Sequence, residues 1–410
     1  MSLNGMMRTG VSGMNAQANR LSTVAENIAN SDTAGYKRAS TEFSSLILPG
    51  SSGSYNSGAV TTDVRYNVNK QGELEFTSSA TDLAIEGPGF FIVENGNGDP
   101  FLTRAGSFVP NGSGELVNAA GFTLLGYPYD GNGTPQTVVN GFDGLSPVNI
   151  GQGNLSATAS TEGNFAGNLP SGALPGETVS SSLAVFDNVG NTVLVDLVYT
   201  KTQEADPENN VPEIWKMNVR RRDGGGELNV PLPSEPVELV FEAGQLTSTE
   251  SMQFSLNPLD PTSPIIDMDI GRMTALGYPY DVADAGVNGS APSKLESVEI
   301  SSDGIVYGQY ENGDLKPLYR LAMANVQSPD KLQPLAGNVY TQGVDSGVIV
   351  TGFAESGNFG SVISSALEGS NVDIAEELTS MIESQRSYTA NSKVFQTGSD
   401  LMEILVNLKR

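Results

Sequence analysis

The side chains with the most potential for chemistry in this sequence are carboxylates, because the chain contains no cysteine and no histidine. Those two absences exclude thiol nucleophiles, disulfides and zinc sites of the usual kind, and they remove the commonest general base. Asp267 and Asp269 have the spacing with which a calcium loop begins, but the distal glutamate is missing and the neighbouring apolar residues alternate as in a strand. Glu376 and Glu377 adjoin at the start of a predicted helix, where negative charge favours the helix dipole and does not indicate an acid–base pair.

Two glycine-containing segments resemble cofactor-binding loops only superficially. Gly87-Pro88-Gly89 and Gly151-Gln152-Gly153 both lack the third glycine and the following helix of a dinucleotide fingerprint, so we interpret both as turns. The sequence therefore predicts no catalytic, cofactor-binding or metal-binding residue, no cofactor, and a protein that is not an enzyme.

The chain is strongly acidic, with a formal net charge of -26 over 410 residues. Binding of nucleic acid needs a cationic surface against phosphate, so this composition argues against it. The one dense basic run, 220–222, leads into Asp223 and three glycines and is interpreted as a solvated turn. Because no signal peptide and no apolar segment of about twenty residues is visible, we expect no membrane insertion and, if the chain is exported, no cleaved signal peptide.

Both ends of the chain predict long helices with one apolar face. Apolar residues recur there with alternating spacings of four and three, which is typical of a helix that packs on a partner helix. We expect the rear helix to start at the candidate caps Ser370, Asn371 and Asp373. The alternative is that each helix docks on a globular body and that its stripe is ordinary intramolecular core. The predicted assembly and coiled-coil residues are Met7, Val11, Met14, Leu21, Ile28, Leu378, Met381, Tyr388, Phe395, Met402 and Leu405, and the same stripes include Ala18, Ala25, Ile374, Val406 and the polar Gln385, Ser392 and Ser399.

The long middle of the chain has the alternation and the turn residues of β-structure. The apolar run 90–93 predicts a buried strand, and the segments 183–186 and 193–199 predict a hairpin around the turn 187–191. We therefore predict a mainly β fold with α-helical termini, in which the terminal helices pair as a coiled-coil domain and the middle forms nested antiparallel β domains. The predicted domains are 1–32 with 370–410 (coiled coil), 33–66 (linker or extended region), 67–146 with 291–369 (first β domain) and 147–290 (inserted outer β domain).

Two motifs at opposite ends of the chain carry a family resemblance. The front motif covers 24–30 and 33–37, and the rear motif covers 370–379 and continues to Ser392. Together with the segment 82–108, these motifs resemble the signatures of the bacterial flagellar rod and hook proteins, although Glu26 stands where the front motif usually has a second asparagine. The motif residues that the resemblance identifies are Asn27, Ile28, Ala29, Asn30, Gly35, Tyr36, Lys37, Gln385, Arg386 and Asn391.

Within this family, the length, the inserted block and the segments 183–187 and 321–326 are most similar to the hook members. That resemblance implies a structural subunit of a helical, tubular homopolymer, which acts as a flexible universal joint transmitting torque from rod to filament and encloses the export channel. It implies further copies of the chain, the distal rod protein, the hook-filament junction protein, the hook cap and the type III export apparatus as partners, and an extracellular place in the flagellum. A mobile linker at 44–58 would let the tube bend.

Other interpretations are also compatible with the sequence. Within the same family, the chain could be a distal rod or hook-filament junction protein, although the central segments disfavour both. From a different class, a secreted glycan-binding or adhesin β-protein could share the acidic middle, but it would have no use for matched stripes at both ends. A secreted hydrolase would need carboxylates that converge in the middle block.

Overall fold

The computed structural model describes residues 3–47, 57–129, 141–151, 155–206, 211–223, 226–228, 236–256 and 262–408. Helix α1 (Leu3–Ala29) and helix α2 (Ile374–Leu408) enclose a middle made of strands and one short 3-10 helix, Pro329–Lys331. The two predicted terminal helices and the mainly β middle are therefore confirmed. In the part of the chain that the structure describes, no helix has both the length and the apolar character needed to cross a membrane.

The strands divide into three consecutive groups along the sequence. The first group is β1 (Ala39–Ile47), β2 (Ser57–Tyr66), β3 (Leu74–Phe76), β4 (Leu83–Glu86), β5 (Phe90–Glu94), β6 (Pro100–Thr103), β7 (Phe108–Pro110), β8 (Leu116–Asn118), β9 (Thr123–Pro128) and β10 (Ser146–Pro147). The second is β11 (Ser156–Thr158), β12 (Glu162–Pro170), β13 (Thr178–Phe186), β14 (Thr192–Gln203), β15 (Glu213–Asp223), β16 (Gly226–Leu228), β17 (Val237–Glu242), β18 (Gln245–Leu246), β19 (Ser251–Ser255), β20 (Ile265–Asp269), β21 (Thr274–Leu276), β22 (Asp281–Val287) and β23 (Ser290–Ser293). The third is β24 (Leu295–Ile300), β25 (Ile305–Tyr310), β26 (Leu315–Leu321), β27 (Met323–Asn325), β28 (Gln333–Leu335), β29 (Val339–Thr341), β30 (Val350–Gly352), β31 (Ser361–Ser364) and β32 (Ala366–Glu368).

The chain folds into two compact units. One unit comprises Met1–Gly151, Ser297–Gln309 and Leu315–Arg410, and the other comprises Gln152–Glu296 with Tyr310–Asp314. The second unit overlaps the block 147–290 that the sequence predicts as an inserted outer domain. The finer division of the chain into four domains stays a prediction.

Strand β5 lies at the centre of the first unit and pairs antiparallel with both β6 and β9. Because side chains alternate between the two faces of a strand, Phe91 and Val93 enter one apolar cluster, whereas Phe90 and Ile92 enter another. All four are at most 1% exposed. The predicted buried strand at 90–93 is therefore confirmed, and it explains why this run is apolar without alternation.

The second unit is built on the meander β13–β14–β15, with Trp215 and Tyr199 in its core. The predicted hairpin is confirmed, since the Asp187 carboxylate accepts hydrogen bonds from the backbone N–H groups of Val189 and Asn191 in its turn. Not every pair is antiparallel, because β12 runs parallel to β20 and β21.

The basic run at 220–222 lies within β15, so its prediction as a solvated turn is wrong. The alternation that begins at Trp215 continues through this run, because β15 stays paired with β14 as far as Arg222. Arg222 Nε lies 2.9 Å from Asp196 Oδ2 on the neighbouring strand.

In the segment 33–66, which the sequence predicts as a linker or extended region, β1 and β2 form an antiparallel hairpin from Ala39↔Tyr66 to Ser45↔Val60. The hairpin packs on α1: Ser12 Oγ donates to the Val60 carbonyl at 2.9 Å, and the hydroxyl oxygens of Thr23 and Thr41 are 2.8 Å apart. β-Branched residues favour strands, and the polar side of α1 supplies these partners. Most of the proposed mobile linker at 44–58 falls in 48–56, outside the described residues.

Candidate assembly site on the terminal helices

Helices α1 and α2 pack against each other in antiparallel orientation. Gly398 lies beside Met7, Gly13 lies beside Asn391, and Arg20 Nη2 is 3.3 Å from Glu383 Oε2. Because the residue numbers in α2 fall as those in α1 rise along the contact, the two helices run in opposite directions. The predicted pairing of the terminal helices is confirmed.

Small residues allow the two helices to approach closely. A Cβ atom placed on Gly13 would lie only 2.7 Å from Asn391 Nδ2, and one on Gly398 would lie 2.8 Å from Met7 Cγ. Both distances are shorter than a van der Waals contact, so larger residues would force the helices apart. We call the residues along this line of contact the seam: Gly10, Gly13, Ser384, Asn391 and Gly398.

On each helix, the residues of the seam directly precede residues of the predicted apolar stripe in the sequence. Successive residues of an α-helix are turned by about 100°, so each stripe lies beside the seam and not within it. Met7 and Phe395 border the seam, since Phe395 Cβ would lie 3.7 Å from a Cβ atom on Gly10. The five matched pairs of seam and stripe positions are Gly10 and Val11, Gly13 and Met14, Ser384 and Gln385, Asn391 and Ser392, and Gly398 and Ser399.

The helix pair consequently leaves an apolar face without an intramolecular cover. None of the predicted assembly residues is buried in the single chain. The five most exposed lie between 37% and 56% exposed, and Met7, Met14, Leu21, Ile28, Met381 and Met402 are half-buried. Exposed apolar side chains in such number are typical of an interaction site. The five are Val11, Leu378, Tyr388, Phe395 and Leu405.

Asn27 joins the end of α1 to the start of β1. Its amide exchanges two hydrogen bonds with the backbone of Ala39: Asn27 Nδ2 donates to the carbonyl at 2.7 Å, and Oδ1 accepts from the N–H at 2.9 Å. Oδ1 also accepts from the Tyr36 hydroxyl at 3.2 Å. Gly35, in the turn before Tyr36, has a φ of +70°, and a Cβ there would lie 2.5 Å from Ala105 N. These contacts give physical roles to Asn27, Gly35 and Tyr36.

The segment between α1 and β1, which contains Gly35, Tyr36 and Lys37, is called the corner below. A buried cluster of three charges connects this corner to the β-structure of the first unit. Glu368 Oε1 accepts from Lys37 Nζ at 2.6 Å and from Gly72 N at 2.9 Å, while Arg104 Nη1 donates to Glu368 Oε2 at 3.0 Å. The Lys37 and Glu368 side chains are 1% and 0% exposed. Burial lowers the pKa of Lys37, and the adjacent Glu368 carboxylate opposes that shift. Four separate segments of the chain thus meet at one carboxylate.

The start of α2 is held by a second set of polar contacts. Asp373 caps the helix, with its Oδ1 accepting from Ala375 N at 2.8 Å. Asn371, predicted as a cap, instead accepts from Arg38 N at 2.7 Å and donates to the carbonyls of Asn67 and Lys70. The predicted caps are therefore wrong at Asn371, because its amide fits the neighbouring turn and not the helix end.

Arg38 links both carboxylates at the start of α2 to the front corner. Its Nε lies 2.6 Å from Glu377 Oε1, and its Nη2 lies 2.9 Å from Glu376 Oε1. These carboxylates thus favour the helix start, as predicted, and also bind a cation. The pKa of Arg38 is raised, since hydrogen bonds to Glu377 and the two negative charges outweigh the effect of burial.

The remaining motif residues are dispersed. Asn30 Nδ2 donates to the Glu26 carbonyl at 2.9 Å, Ile28 is half-buried, and Ala29 is exposed. Gln385 and Arg386 are exposed on α2. The sequence analysis did not identify the roles of Glu368 and Arg104. The available signal was a charged residue at the end of a short strand, since Glu368 is the last residue of β32 and Arg104 directly follows β6.

The buried Tyr36 side chain should make the free energy of unfolding depend on pH in the alkaline range. Burial raises its pKa from 10.0 to about 12, and Glu26 adds to the shift. Since the unfolded chain releases the phenolic proton first, this stabilisation is complete below pH 10 and is lost as the pH rises towards 12. We expect Tyr36→Phe to reduce the loss of unfolding free energy between pH 8 and pH 11 by about 1 kcal/mol. Urea denaturation followed by far-ultraviolet circular dichroism measures it, with the exposed Tyr278→Phe as control. Equal losses of unfolding free energy in Tyr36→Phe and in the unsubstituted chain would show that the Tyr36 hydroxyl does not cause this pH dependence.

Comparisons with known proteins match this chain to flagellar proteins from its first helix to its last. Three family models match: "Flagella basal body rod protein" over residues 7–37, "Flagellar hook protein FlgE/F/G D1 domain" over 84–166, and "Flagellar basal body rod FlgEFG protein C-terminal" over 363–408. The first and third of these ranges include the corner at Tyr36 and the whole of α2.

Individual relatives match over their full length. The flagellar hook protein FlgE of Rhizobium meliloti (strain 1021) is 57% identical, and that of Brucella suis biovar 1 is 46% identical, each over 100% of both chains. The FlgE protein of Salmonella typhimurium is 29% identical over 97% of this chain and 98% of its own. The crystal structure of Helicobacter pylori FlgE2 is similar in fold, with a TM-score of 0.50 and 15% identity over 72% of this chain and 100% of that one.

Proposed function

This chain belongs to the flagellar hook protein family, and we propose that it is the repeating structural subunit of a hook. In this proposal many copies assemble into a helical tube that joins rod to filament, bends while it transmits torque, and encloses the channel for exported proteins. Contacts between unlike surfaces whose rotation does not close produce such a filament and not a ring.

The observation that carries the proposal is the uncovered apolar face of the helix pair. The seam brings α1 and α2 together through small residues, so the larger apolar side chains, among them Leu378 and Phe395, stay exposed on a single chain. Covering such side chains stabilises an assembly by about 25 cal/mol per Å² of apolar surface removed from water. Neighbouring copies in a tube would provide that cover.

The corner around Glu368 supports the mechanical part of the proposal. Torque has to pass between the helices and the β-structure of the same unit, and a hydrogen-bonded joint buried from water resists shear better than a single flexible connection. Lys37, Arg104 and Gly72 all bind the Glu368 carboxylate, and Arg38 binds Glu376 and Glu377 at the first turn of α2. These contacts make the joint stiff.

The partners follow from the same proposal. The main partner is a second copy of the chain, and the distal rod protein, the hook-filament junction protein, the hook cap and the type III export apparatus meet it at the ends of the tube or during export. The place of action is the extracellular part of the flagellum.

Electron microscopy of the purified chain tests the proposal directly. We expect curved, hollow tubes when the full chain is concentrated in polymerising salt, because salt screens the repulsion between subunits of net charge -26. A sample at low ionic strength is the control and should stay monomeric. Straight tubes would indicate a rod protein, and monomers at every salt concentration would refute the assembly role.

A further inference from the structure

A groove with a mixed acidic and apolar lining lies at the base of the helix pair. It has a volume of about 850 Å³ and is formed by the segments 31–34, 70–75 and 367–375. Lys70 is the cation among its lining residues, against several carboxylates. The carboxylates are those of Asp32, Glu73, Glu75, Glu368 and Asp373, and the larger apolar side chains are those of Leu367, Val372 and Ile374.

Most of the carboxylates that line the groove face solvent. Asp32, Glu73, Glu75 and Asp373 are all exposed, whereas Glu368 is buried against Lys37 and Arg104. These exposed carboxylates have the charge that a cationic segment would require.

The groove continues the apolar face of α2. Ile374 lines the groove, is 46% exposed, and precedes Leu378 by four residues. Residues four apart lie on the same side of a helix, one turn above the other. An occupant of the groove would therefore also touch the apolar face that we propose for assembly.

The opposite end of α2 complements the groove, because it is apolar and is followed in the sequence by cationic residues. Leu401, Ile404, Leu405 and Val406 are all exposed. At about 100° per residue they cover roughly 200° of the circumference, about twice the width of an ordinary apolar stripe. A helix end that is apolar on more than half of its surface needs enclosure by a groove, since a flat surface covers one side only. The next two residues in the sequence, Lys409 and Arg410, are both cationic.

We infer that the end of α2, from residue 401 to residue 408, of a second copy of this chain occupies the groove at the base of the helix pair, together with Lys409 and Arg410, which follow it in the sequence. Its apolar side chains pack against Val372 and Ile374, and its cationic residues face Glu73 and Glu75. The contact joins two unlike surfaces, so each copy offers one of each and the chain of contacts does not close. This inference rests on the proposed function and adds the pair of surfaces through which successive copies meet head to tail.

Cysteine cross-linking tests this contact, because the chain has no cysteine of its own. Chains with Glu75→Cys are mixed with chains with Val406→Cys, polymerised, and oxidised. We expect a disulfide-linked heterodimer in the polymer but not in monomers, and a ladder of larger multimers from the double variant. The matched control replaces Val406→Cys by Gln396→Cys, which lies on an exposed position of α2 about 15 Å earlier.

The outcomes of cross-linking separate the two claims. Tubes without cross-linking above the level of the Gln396→Cys control would overturn the head-to-tail contact and leave the assembly role intact. A double variant that yields dimers only would also overturn it, because a closed contact does not produce a ladder. Failure of the unsubstituted chain to form tubes would refute the proposed function itself.

Charge reversal provides an independent test. We expect Lys409→Glu with Arg410→Glu to raise the critical concentration for polymerisation about tenfold, which corresponds to the loss of two exposed ion pairs. Adding Glu73→Lys and Glu75→Lys should lower the critical concentration again and reverse most of this increase. The control adds Glu296→Lys and Glu299→Lys, an equal change of charge at two exposed positions that do not line the groove. Equal restoration by both pairs would show a net-charge effect and overturn the contact.

Discussion

Leu378→Asp is expected to abolish tube formation while the monomer keeps its fold. Leu378 is 48% exposed on α2 and outside the seam, so an aspartate there meets water in the free chain and costs little stability. In the tube that we propose, the same position is covered by a neighbour, and burying an unpaired carboxylate costs several kcal/mol. A cost of about 4 kcal/mol raises the critical concentration about a thousandfold.

Sedimentation after polymerisation, together with electron microscopy of the pellet, measures this effect. Gln396→Asp introduces the same charge at an exposed position of α2 outside the predicted stripe, and we expect its critical concentration to change by less than threefold, the range of exposed charge effects. Circular dichroism of both monomers confirms that the helices remain folded. Normal tubes from Leu378→Asp would show that this face is not an assembly surface.

Glu368→Ala is expected to destabilise the first unit by about 3 to 5 kcal/mol, the usual cost of removing one partner from a buried ion pair. The substitution leaves Lys37 and Arg104 buried without their shared carboxylate and removes the acceptor for Gly72 N. Glu42→Ala is the matched control. Its ion pair with Arg65 has a similar length, 3.2 Å, but both side chains are more than half exposed. Exposed pairs contribute at most about 1 kcal/mol.

The two units offer separate signals for this experiment. The single tryptophan, Trp215, is buried in the second unit, so its fluorescence follows that unit, whereas helical circular dichroism follows α1 and α2 of the first. We expect Glu368→Ala to lower the denaturation midpoint seen by circular dichroism and to leave the fluorescence midpoint unchanged. Unaltered midpoints in both signals would mean that the charge cluster does not hold the corner together.

Local patterns were enough to predict the elements that depend on neighbouring residues in the sequence. The spacing of Leu378, Met381 and Tyr388 predicts a helix whatever that helix packs against, and the structure contains α2 there. The alternation around Trp215 and the turn after Phe186 likewise depend on short-range geometry, and both the strand and the hairpin are present. The hairpin β1–β2 was missed because its strands are polar on the surface, and α1 supplies their partners.

The candidate site was predictable only in part, because a stripe shows which residues share a face but not what that face meets. Glycine and serine carry no apolar signal, so Gly13 and Ser384 gave no sign that they form the seam, although their small size is what permits it. The corner needs residues far apart in sequence, as with Lys37 and Glu368, and no local pattern relates them.

By itself, the sequence determined the terminal helices, the β-rich middle, the lack of thiol and imidazole chemistry, and, through its terminal motifs, the family. Each of these depends on residue type and short spacing. Only the tertiary structure decided the rotation of α1 and α2 about their axes, since close contact at Gly13 and Gly398 turns the apolar face outward by one residue, about 100°. The same folding brings Lys37, Arg104 and Glu368 together, because burying one charge requires partners that distant segments supply.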